Sequence, residues 1–157
     1  MLDKTSKILI AVVVCLLIGF LSGFATQSSV TTWYTTLNKP SFNPPNWVFA
    51  PVWTVLYVLM GIAAGLVWNR GFYHKWVKTA IYHFCFQLVF NGAWSMVFFG
   101  LKKPFWGLVI ICILLVLIIR TIKWFKVVDK KAAFLLYPYL AWVAFATVLN
   151  FSIWQLN

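Results

Sequence analysis

Acidic residues are almost absent from this 157-residue sequence, which has two of them against thirteen lysines and arginines. Charged residues of both signs make up only 10% of the chain, compared with roughly 25% in an average soluble domain. A soluble fold of this length needs many more polar side chains to cover its surface. The shortage excludes a soluble enzyme and a disordered tail, and it favours an integral membrane protein that forms a single domain.

Patterns typical of catalytic and metal sites are missing as well. Asp3 and Asp129 lie outside the apolar segments, so the intramembrane carboxylate that proton-coupled transporters usually need is absent. The sequence shows no Ser/His/Asp set, no paired carboxylates and no cluster of metal ligands. Cys15, Cys85 and Cys112 lie in apolar stretches without CxxC spacing, and we expect buried, unreactive thiols. We therefore expect no metal site, no required cofactor and no conventional hydrolytic chemistry.

Hydrophobic residues, by contrast, make up 63% of the chain, and aromatic residues make up 20%. A bilayer core of about 30 Å requires about 20 apolar helical residues. Five segments reach this length, the fourth because Arg120 and Lys123 can snorkel, and their lack of an alternating period favours helices over barrel strands. The predicted helices cover residues 8–26, 47–69, 79–101, 104–124 and 132–155. The sequence thus predicts an all-α, integral membrane five-helix bundle.

The basic residues are divided unequally between the two predicted ends of the bundle. Ten lie at the end that carries the N-terminus: Lys4, Lys7, Arg70, Lys75, Lys78, Arg120, Lys123, Lys126, Lys130 and Lys131. Three lie at the other end: Lys39, Lys102 and Lys103. Because basic loops stay on the cytoplasmic side, this predicts a cytoplasmic N-terminus. Short clusters between apolar stretches are typical of membrane-flanking loops, and we expect no nucleic-acid partner.

The N-terminal segment bears on two questions: whether the first helix is cleaved off as a signal peptide, and in which type of membrane the protein lies. Lys4 and Lys7 before an apolar run also suit a cleaved signal peptide, but the run is long for one and residues 22–25 form a poor cleavage site. We therefore expect a retained first helix. The lack of an Arg-rich, transit-like start favours a bacterial inner membrane.

The connection between the first two predicted helices, residues 27–46, is long and rich in proline and aromatic residues. Its prolines restrict the backbone, and its aromatic side chains suit the headgroup layer, where they can form an interfacial belt. Long loops of this kind are often functional, and we expect a stiff lid over the outer end of the bundle. Pro51, just beyond it, either occupies the first turn of the second helix or kinks it.

Polar and aromatic side chains recur on one face of three predicted helices. These faces carry His83, Gln87, Asn91 and Ser95 with Trp94 in the third helix, Trp53, Tyr57 and Met60 in the second, and Trp142, Ala146, Leu149 and Asn150 in the last. Polar groups are costly in hydrocarbon, so these faces should point into the bundle. At about 1.5 Å per residue, Trp53, Asn91, Trp94 and Asn150 lie in the outer half of the membrane, and Trp142 lies deeper.

Two interpretations of these faces remain open. Aromatic walls, a few amides and a small residue such as Ala146 suit a flat apolar ligand. Alternatively, the amides only hydrogen-bond between helices and the tryptophans only anchor the interfaces. His83 lies near the basic end, away from the other residues of its face, and we expect a satisfied core histidine rather than a haem ligand.

Two further features concern packing. Residues 105–119 contain no strongly polar side chain, so we expect the fourth helix to be broadly exposed to lipid. Two pairs of glycines at four-residue spacing allow helix backbones to approach closely: Gly19 with Gly23, and Gly61 with Gly65. For these pairs we expect contact within the bundle rather than a dimer face.

Three blocks of sequence, taken in order, resemble a known family. They are Trp33-Tyr34, Leu37, Lys39-Pro40, Pro44-Pro45, Trp47, Pro51-Val52-Trp53-Thr54, Leu56-Tyr57 and Met60-Gly61; Gln87-Leu88, Asn91, Ala93-Trp94 and Phe98-Phe99-Gly100; and Pro138-Tyr139-Leu140-Ala141-Trp142, Phe145-Ala146-Thr147 and Leu149-Asn150. Together they cover nearly the whole chain. The sequence resembles the TspO/MBR family, the tryptophan-rich sensory proteins and the translocator protein or peripheral-type benzodiazepine receptor.

The resemblance implies a five-helix bundle, often a homodimer, that binds porphyrins or haem, sterol-like lipids and benzodiazepine-type drugs beneath the first long loop. It implies that Trp53 and Trp142 are the tryptophans connected with light-dependent porphyrin degradation. The predicted ligand-binding set is Tyr34, Trp53, Tyr57, Asn91, Trp94, Trp142, Ala146 and Leu149. Phe151 stands where eukaryotic members have the tyrosine of a cholesterol motif, which argues against cholesterol recognition there.

Three functions are compatible with these residues. We favour binding and sensing of tetrapyrroles or other flat hydrophobic molecules, because the predicted aromatic pocket lacks catalytic groups. The second is photo-oxidative degradation of a bound porphyrin, in which the indoles of Trp53 and Trp142 donate electrons to the excited ring. The third is facilitated transport of porphyrin or lipid, although no polar path crosses the first and fourth predicted helices.

Overall fold

The computed structural model describes residues 2–157, and all regular structure in that part of the chain is helical. Six α-helices follow one another: α1 (Lys4–Thr31), α2 (Asn46–Asn69), α3 (Lys75–Ser95), α4 (Pro104–Val128), α5 (Lys130–Leu135) and α6 (Tyr137–Leu156). A 3-10 turn at Tyr34–Thr36 precedes α2, and a π-helical turn at Met96–Gly100 continues α3. The prediction of an all-α fold is confirmed.

Four helical segments within the described residues are long and apolar enough to cross a membrane. They are α1, α2, α4 and the α5–α6 segment Lys130–Leu156. The remaining predicted span is α3, which is less apolar because it carries the polar face of Gln87 and Asn91. Both of these side chains are buried, and α3 packs against α4 and α2 inside the bundle. A helix that turns its polar face inward does not need the hydropathy of one surrounded by lipid.

The first helix is longer than predicted, because it runs from Lys4 to Thr31 rather than over residues 8–26. The carboxylate of Asp3 accepts a hydrogen bond from the Ser6 amide (2.7 Å) and caps the N-terminus. This contact holds the pKa of the Asp3 carboxyl below its usual value. At the other end, the Thr31 hydroxyl donates to the Gln27 carbonyl (3.1 Å) within the last turn. The predicted loop over residues 27–46 is therefore wrong in its first part, which is helical.

The last predicted helix, residues 132–155, is interrupted at Leu136 and forms α5 and α6 instead. Pro138 has no amide hydrogen to donate to the Phe134 carbonyl, so the regular pattern cannot continue through this point. Asp129 starts α5 by accepting hydrogen bonds from the amides of Lys131 (2.9 Å) and Ala132 (3.4 Å). The interruption is a single turn, after which the chain continues as α6.

Two glycines allow α1 and α2 to approach closely. A Cβ atom at Gly61 would overlap backbone atoms of Val12, and one at Gly65 would overlap backbone atoms of Ile8. Glycine is needed at both positions because any side chain would push the two backbones apart. The predicted contact within the bundle is confirmed for this pair. Pro51 lies inside α2, beyond its first turn.

The exposure of the helices differs from the prediction. α4 exposes one face but buries the other against α3 and α6, through residues that include Gly107, Ile111, Leu114, Ile118 and Phe125. α1 is the broadly exposed helix, because it buries only Cys15, Thr26 and Ser29. The prediction of buried thiols is right for Cys15 and wrong for Cys85 and Cys112, which are exposed. An apolar stretch of a membrane helix includes the face turned to lipid, so apolar neighbours do not imply burial.

The two ends of the bundle differ in charge and in the contacts that close them. At the basic end, Arg70 at the end of α2 pairs with Asp129 before α5 (3.2 Å). At the opposite end, the Asn157 side chain donates to the Asn38 carbonyl (2.9 Å) and accepts from the Asn38 amide (3.1 Å). The connection between α1 and α2 is therefore attached to the C-terminal end of α6.

Candidate ligand-binding site

A cavity of about 790 Å³ lies between α1, α2, α3 and α6 in the half of the bundle away from the basic end. This size is within the range of about 300–1,000 Å³ that is common for small-molecule sites. All of the predicted ligand-binding residues contribute to its wall: Tyr34, Trp53, Tyr57, Asn91, Trp94, Trp142, Ala146 and Leu149. No Asp, Glu, Lys, Arg or His belongs to the wall among residues 2–157. The structure thus brings the predicted residues together around an uncharged space.

The deep end of the cavity is closed by a chain of buried hydrogen bonds. The Tyr57 hydroxyl donates to Asn91 Oδ1 (2.6 Å), and Asn91 Nδ2 donates to the Tyr139 hydroxyl (2.7 Å). The Tyr139 hydroxyl in turn donates to Gln87 Oε1 (2.7 Å). These bonds connect α2, α3 and α6, while Gln87 Nε2 is buried without a partner. The amides therefore join helices, as one interpretation expected, and Asn91 also forms part of the cavity wall.

Trp53 lies at the centre of a group of aromatic rings. Its ring centre is 5.7 Å from that of Tyr57, 6.3 Å from that of Trp94 and 6.4 Å from that of Tyr139. Trp94 is fixed by its indole N–H, which donates to Asn150 Oδ1 (3.0 Å). Offset and edge-on ring contacts of this kind favour a defined arrangement. One wall of the cavity is therefore a continuous aromatic surface held by a hydrogen bond.

Trp142 forms another part of the wall from α6. Its ring centre is 6.1 Å from that of Phe49 and 5.4 Å from that of Phe145. Its indole nitrogen is buried and has no hydrogen-bond partner. Ala146 lies one turn further along α6, where its small side chain leaves space in the cavity. Trp53 and Trp142 thus belong to one cavity.

The connection between α1 and α2 contributes Tyr34 to the cavity. This side chain is 3% exposed, and its hydroxyl donates to Asn43 Oδ1 (2.9 Å) across the connection. Its ring centre is 5.5 Å from that of Phe99, and the Lys39 ammonium lies 4.8 Å from the Tyr34 ring centre on the side of the loop. Burial raises the pKa of the Tyr34 hydroxyl to about 12, although the hydrogen bond to Asn43 opposes this rise. These contacts suit a stiff cover, as predicted for the loop.

The cavity reaches the outer surface of the bundle between α1 and α2. A Cβ atom at Gly19 would lie 2.5 Å from the Tyr57 ring, whereas one at Gly23, one turn further, would meet no atom within 4 Å. The two helices therefore diverge towards the loop end. Phe20 is 66% exposed and Phe24 is 72% exposed, and both also line the cavity. We call this gap the opening; its edges are Phe20, Gly23, Phe24, Ala50 and Thr54.

Sequence reasoning missed the contribution of α1 and of the π-helical turn. Ser22 and Thr26 of α1 line the cavity, and the spacing of these two residues beside Gly19 and Gly23 was the available signal. Phe98 and Phe99 both reach the wall from the π-helical turn. A π-helical turn changes the direction of the side chains that follow it, and no pattern in the sequence indicated it.

The remaining residues of the predicted faces lie partly in the cavity wall and partly elsewhere in the bundle. Ser95 and Asn150 line the cavity, whereas Met60 is fully buried in the core. His83 lies outside the wall, with Nδ1 2.8 Å from the Thr79 carbonyl oxygen and its ring centre 6.0 Å from that of Trp124. The expectation of a satisfied histidine rather than a cavity ligand agrees with these contacts.

Comparisons with known proteins agree with the resemblance seen in the sequence. A sequence model described as the TspO/MBR family matches residues 11–155. The chain is 46% identical over 143 residues to the tryptophan-rich protein TspO of Chlorobaculum tepidum, and the alignment covers 91% of this chain and 90% of that protein. It is 44% identical over 152 residues to the protein of the same name from Archaeoglobus fulgidus, and this alignment covers 96% of this chain and 97% of that protein.

A second group of relatives is eukaryotic. The chain is 43% identical over 128 residues to the translocator protein of Homo sapiens, covering 80% of this chain and 75% of that protein. Both groups match over at least three quarters of their own length, and the family model, which spans residues 11–155, includes all or part of every helix that forms the cavity. The chain is therefore an integral membrane protein that belongs to the TspO/MBR family.

Proposed function

We propose that the protein binds tetrapyrroles and other flat hydrophobic molecules in the cavity, and that binding has a sensing or regulatory role. The observation that supports this proposal is the uncharged cavity of about 790 Å³ with aromatic walls from several helices. Flat ring systems gain most from such walls, because they can stack on or pack edge-on against the indole and phenol rings. The same surface suits benzodiazepine-type drugs and sterol-like lipids.

The cavity wall carries no charged side chain within residues 2–157, and this determines how a porphyrin would lie in the cavity. A carboxylate transferred from water to an uncharged site loses solvation that nothing there replaces. The ring would therefore occupy the cavity, with its propionate groups directed towards the loop end of the opening, where they can reach the headgroup layer and water. A porphyrin diester should consequently bind no more weakly than the free diacid, which a site with buried cations would not allow.

The test is a titration of the purified protein with protoporphyrin, followed by tryptophan fluorescence. We expect saturable quenching, weakened in the double variant Trp53→Phe/Trp142→Phe. The matched control is Trp76→Phe/Trp124→Phe, because these two rings stack with centres 5.7 Å apart outside the cavity wall. Absence of saturable quenching in the wild type, or equal weakening in both double variants, would contradict the proposal.

Light-dependent degradation of a bound porphyrin is a second candidate function. It is favoured by the ring contacts of Trp53 with Tyr57 and Trp94, which place three electron-rich rings beside the space for the ligand. The porphyrin would supply the photochemistry, and the protein would hold it beside the indoles. Loss of porphyrin absorbance under light should be faster with the wild type than with Trp53→Phe/Trp142→Phe. Equal rates would leave only photochemistry in solution.

Transport is less well supported than binding. The cavity ends at the hydrogen-bonded chain of Tyr57, Asn91 and Tyr139, and its wall comes from one half of the bundle. Porphyrin flux into sealed vesicles would have to exceed passive leakage to favour transport. We propose a bacterial inner membrane location, with the basic end of the bundle in the cytoplasm.

A further inference from the structure

Both acidic side chains of the protein are already used inside the fold. Asp3 accepts a hydrogen bond from the Ser6 amide at the start of α1. Asp129 caps α5 and also pairs with Arg70 at 3.2 Å, which is the only salt bridge found within residues 2–157. The basic end of the bundle carries the other nine of its ten lysines and arginines without an acidic side chain to pair with them. Their counterions must therefore come from outside the protein.

One pair of these lysines stands beside an apolar groove. The groove has a volume of about 430 Å³ and lies between the last turns of α2 and the short helix α5. Its wall consists of Leu66, Phe134 and Leu135, together with Lys130 and Lys131. Phe134 is 70% exposed, although its ring has no polar atom to present to water. An apolar floor next to two exposed ammonium groups is complementary to a molecule with an apolar chain and an anionic head.

We propose that this groove binds an anionic phospholipid. The acyl chain lies against Leu66 and Phe134, and the phosphate is held by the ammonium groups of Lys130 and Lys131. Asp129 does not compete for these ammonium groups, because Arg70 and the backbone amides of α5 already engage its carboxylate. A zwitterionic lipid offers the same chain, but its own cation offsets the attraction to the lysines. Free phosphate offers the charge and leaves the apolar floor uncovered.

The experiment measures lipid binding to the purified, full-length protein in detergent by native mass spectrometry. Three ligands are titrated separately: phosphatidylglycerol, phosphatidylcholine with the same acyl chains, and glycerol phosphate. We expect preferential retention of phosphatidylglycerol by the wild type. The variant Lys130→Gln/Lys131→Gln should bind phosphatidylglycerol about tenfold more weakly or worse, with phosphatidylcholine unaffected.

The matched control is Lys102→Gln/Lys103→Gln, which removes an adjacent pair of lysines at the opposite end of the bundle. It should retain phosphatidylglycerol as the wild type does. A second variant, Phe134→Ser, should weaken the binding of both lipids because it removes part of the apolar floor. Circular dichroism checks that all three variants are folded.

Several results would overturn the proposal. Equal losses in the two lysine variants would indicate attraction to net charge rather than a site. Equal binding of the two lipids to the wild type would show that the lysines play no part in recognition. Glycerol phosphate binding as tightly as phosphatidylglycerol would indicate a site for free phosphate. None of these outcomes depends on ligand binding in the cavity at the other end.

Discussion

The buried chain of hydrogen bonds below the cavity allows two similar substitutions whose expected effects on stability differ in size. Asn91 is 2% exposed and bonds to the hydroxyls of both Tyr57 and Tyr139. Gln87 is 1% exposed and bonds only to Tyr139, while its Nε2 has no partner. Replacing either amide with leucine preserves much of the volume. The two variants, Asn91→Leu and Gln87→Leu, therefore differ mainly in the hydrogen bonds that they remove.

The expected magnitudes follow from counting these bonds. A hydrogen bond between membrane helices contributes about 0.6 kcal/mol on average and at most about 1.7 kcal/mol. Asn91→Leu removes two bonds and leaves the Tyr57 hydroxyl without its acceptor, so the loss should be about 1–3 kcal/mol. Gln87→Leu removes one bond and one unpaired buried donor, Gln87 Nε2, but it leaves the buried Tyr139 hydroxyl without its acceptor, so the two desolvation costs of about 1–3 kcal/mol each cancel. Its net effect should therefore be the loss of a single bond, about 0.6 kcal/mol, which is smaller than the effect of Asn91→Leu.

The assay is unfolding in mixed micelles with increasing sodium dodecyl sulfate, followed by circular dichroism. Gln155→Leu serves as the control, because Gln155 is exposed near the end of α6 and the same chemical change there removes no bond within the protein. We expect Gln155→Leu to be the most stable of the three variants, Gln87→Leu to be slightly less stable, and Asn91→Leu to be the least stable. A Gln87→Leu variant as unstable as Asn91→Leu would refute the reasoning, since it would mean that the Gln87 side chain is fully satisfied.

Further predictions concern the cavity, its opening and the loop. Ala146→Phe should weaken porphyrin binding tenfold or more in the fluorescence titration while leaving thermal unfolding nearly unchanged, because the added ring enters open space; unchanged affinity would remove Ala146 from the site. Gly65→Leu should prevent folding because it overlaps the backbone of Ile8, whereas Gly23→Leu should fold and slow porphyrin association at the opening; equal yields of folded protein would contradict this. Tyr34→Phe should be less stable than the wild type at neutral pH, where the hydrogen bond to Asn43 exists. Because the pKa of Tyr34 is raised to about 12, the stability of the wild type falls as the pH rises from about 10 to 12, whereas Tyr34→Phe has no phenol to ionise there, so the advantage of the wild type should disappear over this range.

The wall of the cavity could be predicted from the sequence to a large extent. Asn91 and Trp94 belong to a helix whose polar residues recur at four-residue spacing, and this spacing places them on one face whatever the details of packing. A polar face in a membrane helix must turn away from lipid, so its direction follows as well. The helices that carry these faces could be predicted from the uncharged segments, because charged side chains are also costly in hydrocarbon.

The boundaries and irregular turns could not be predicted in this way. Charged residues mark where a chain can leave the hydrocarbon, but α1 continues beyond Thr26 because backbone hydrogen bonds continue there. The interruption at Leu136 follows from Pro138, because proline lacks the amide hydrogen that a continuous helix needs. The π-helical turn at Met96–Gly100 and the divergence of α1 from α2 near Gly23 depend on contacts between helices. Such contacts have no local signature.

The two interpretations of the buried amides, a ligand pocket or a means of joining helices, turn out to be compatible, and their combination limits the kind of recognition that the cavity can provide. The Tyr57 hydroxyl donates to Asn91 Oδ1 and Asn91 Nδ2 donates to the Tyr139 hydroxyl, so Tyr57 and Asn91 form the floor of the cavity with their donors already paired. A ligand would then gain affinity mainly from contact with Trp53, Trp94 and Trp142. Affinity across a series of flat ligands should accordingly rise with the apolar area of the ring system and depend little on the pattern of its polar substituents.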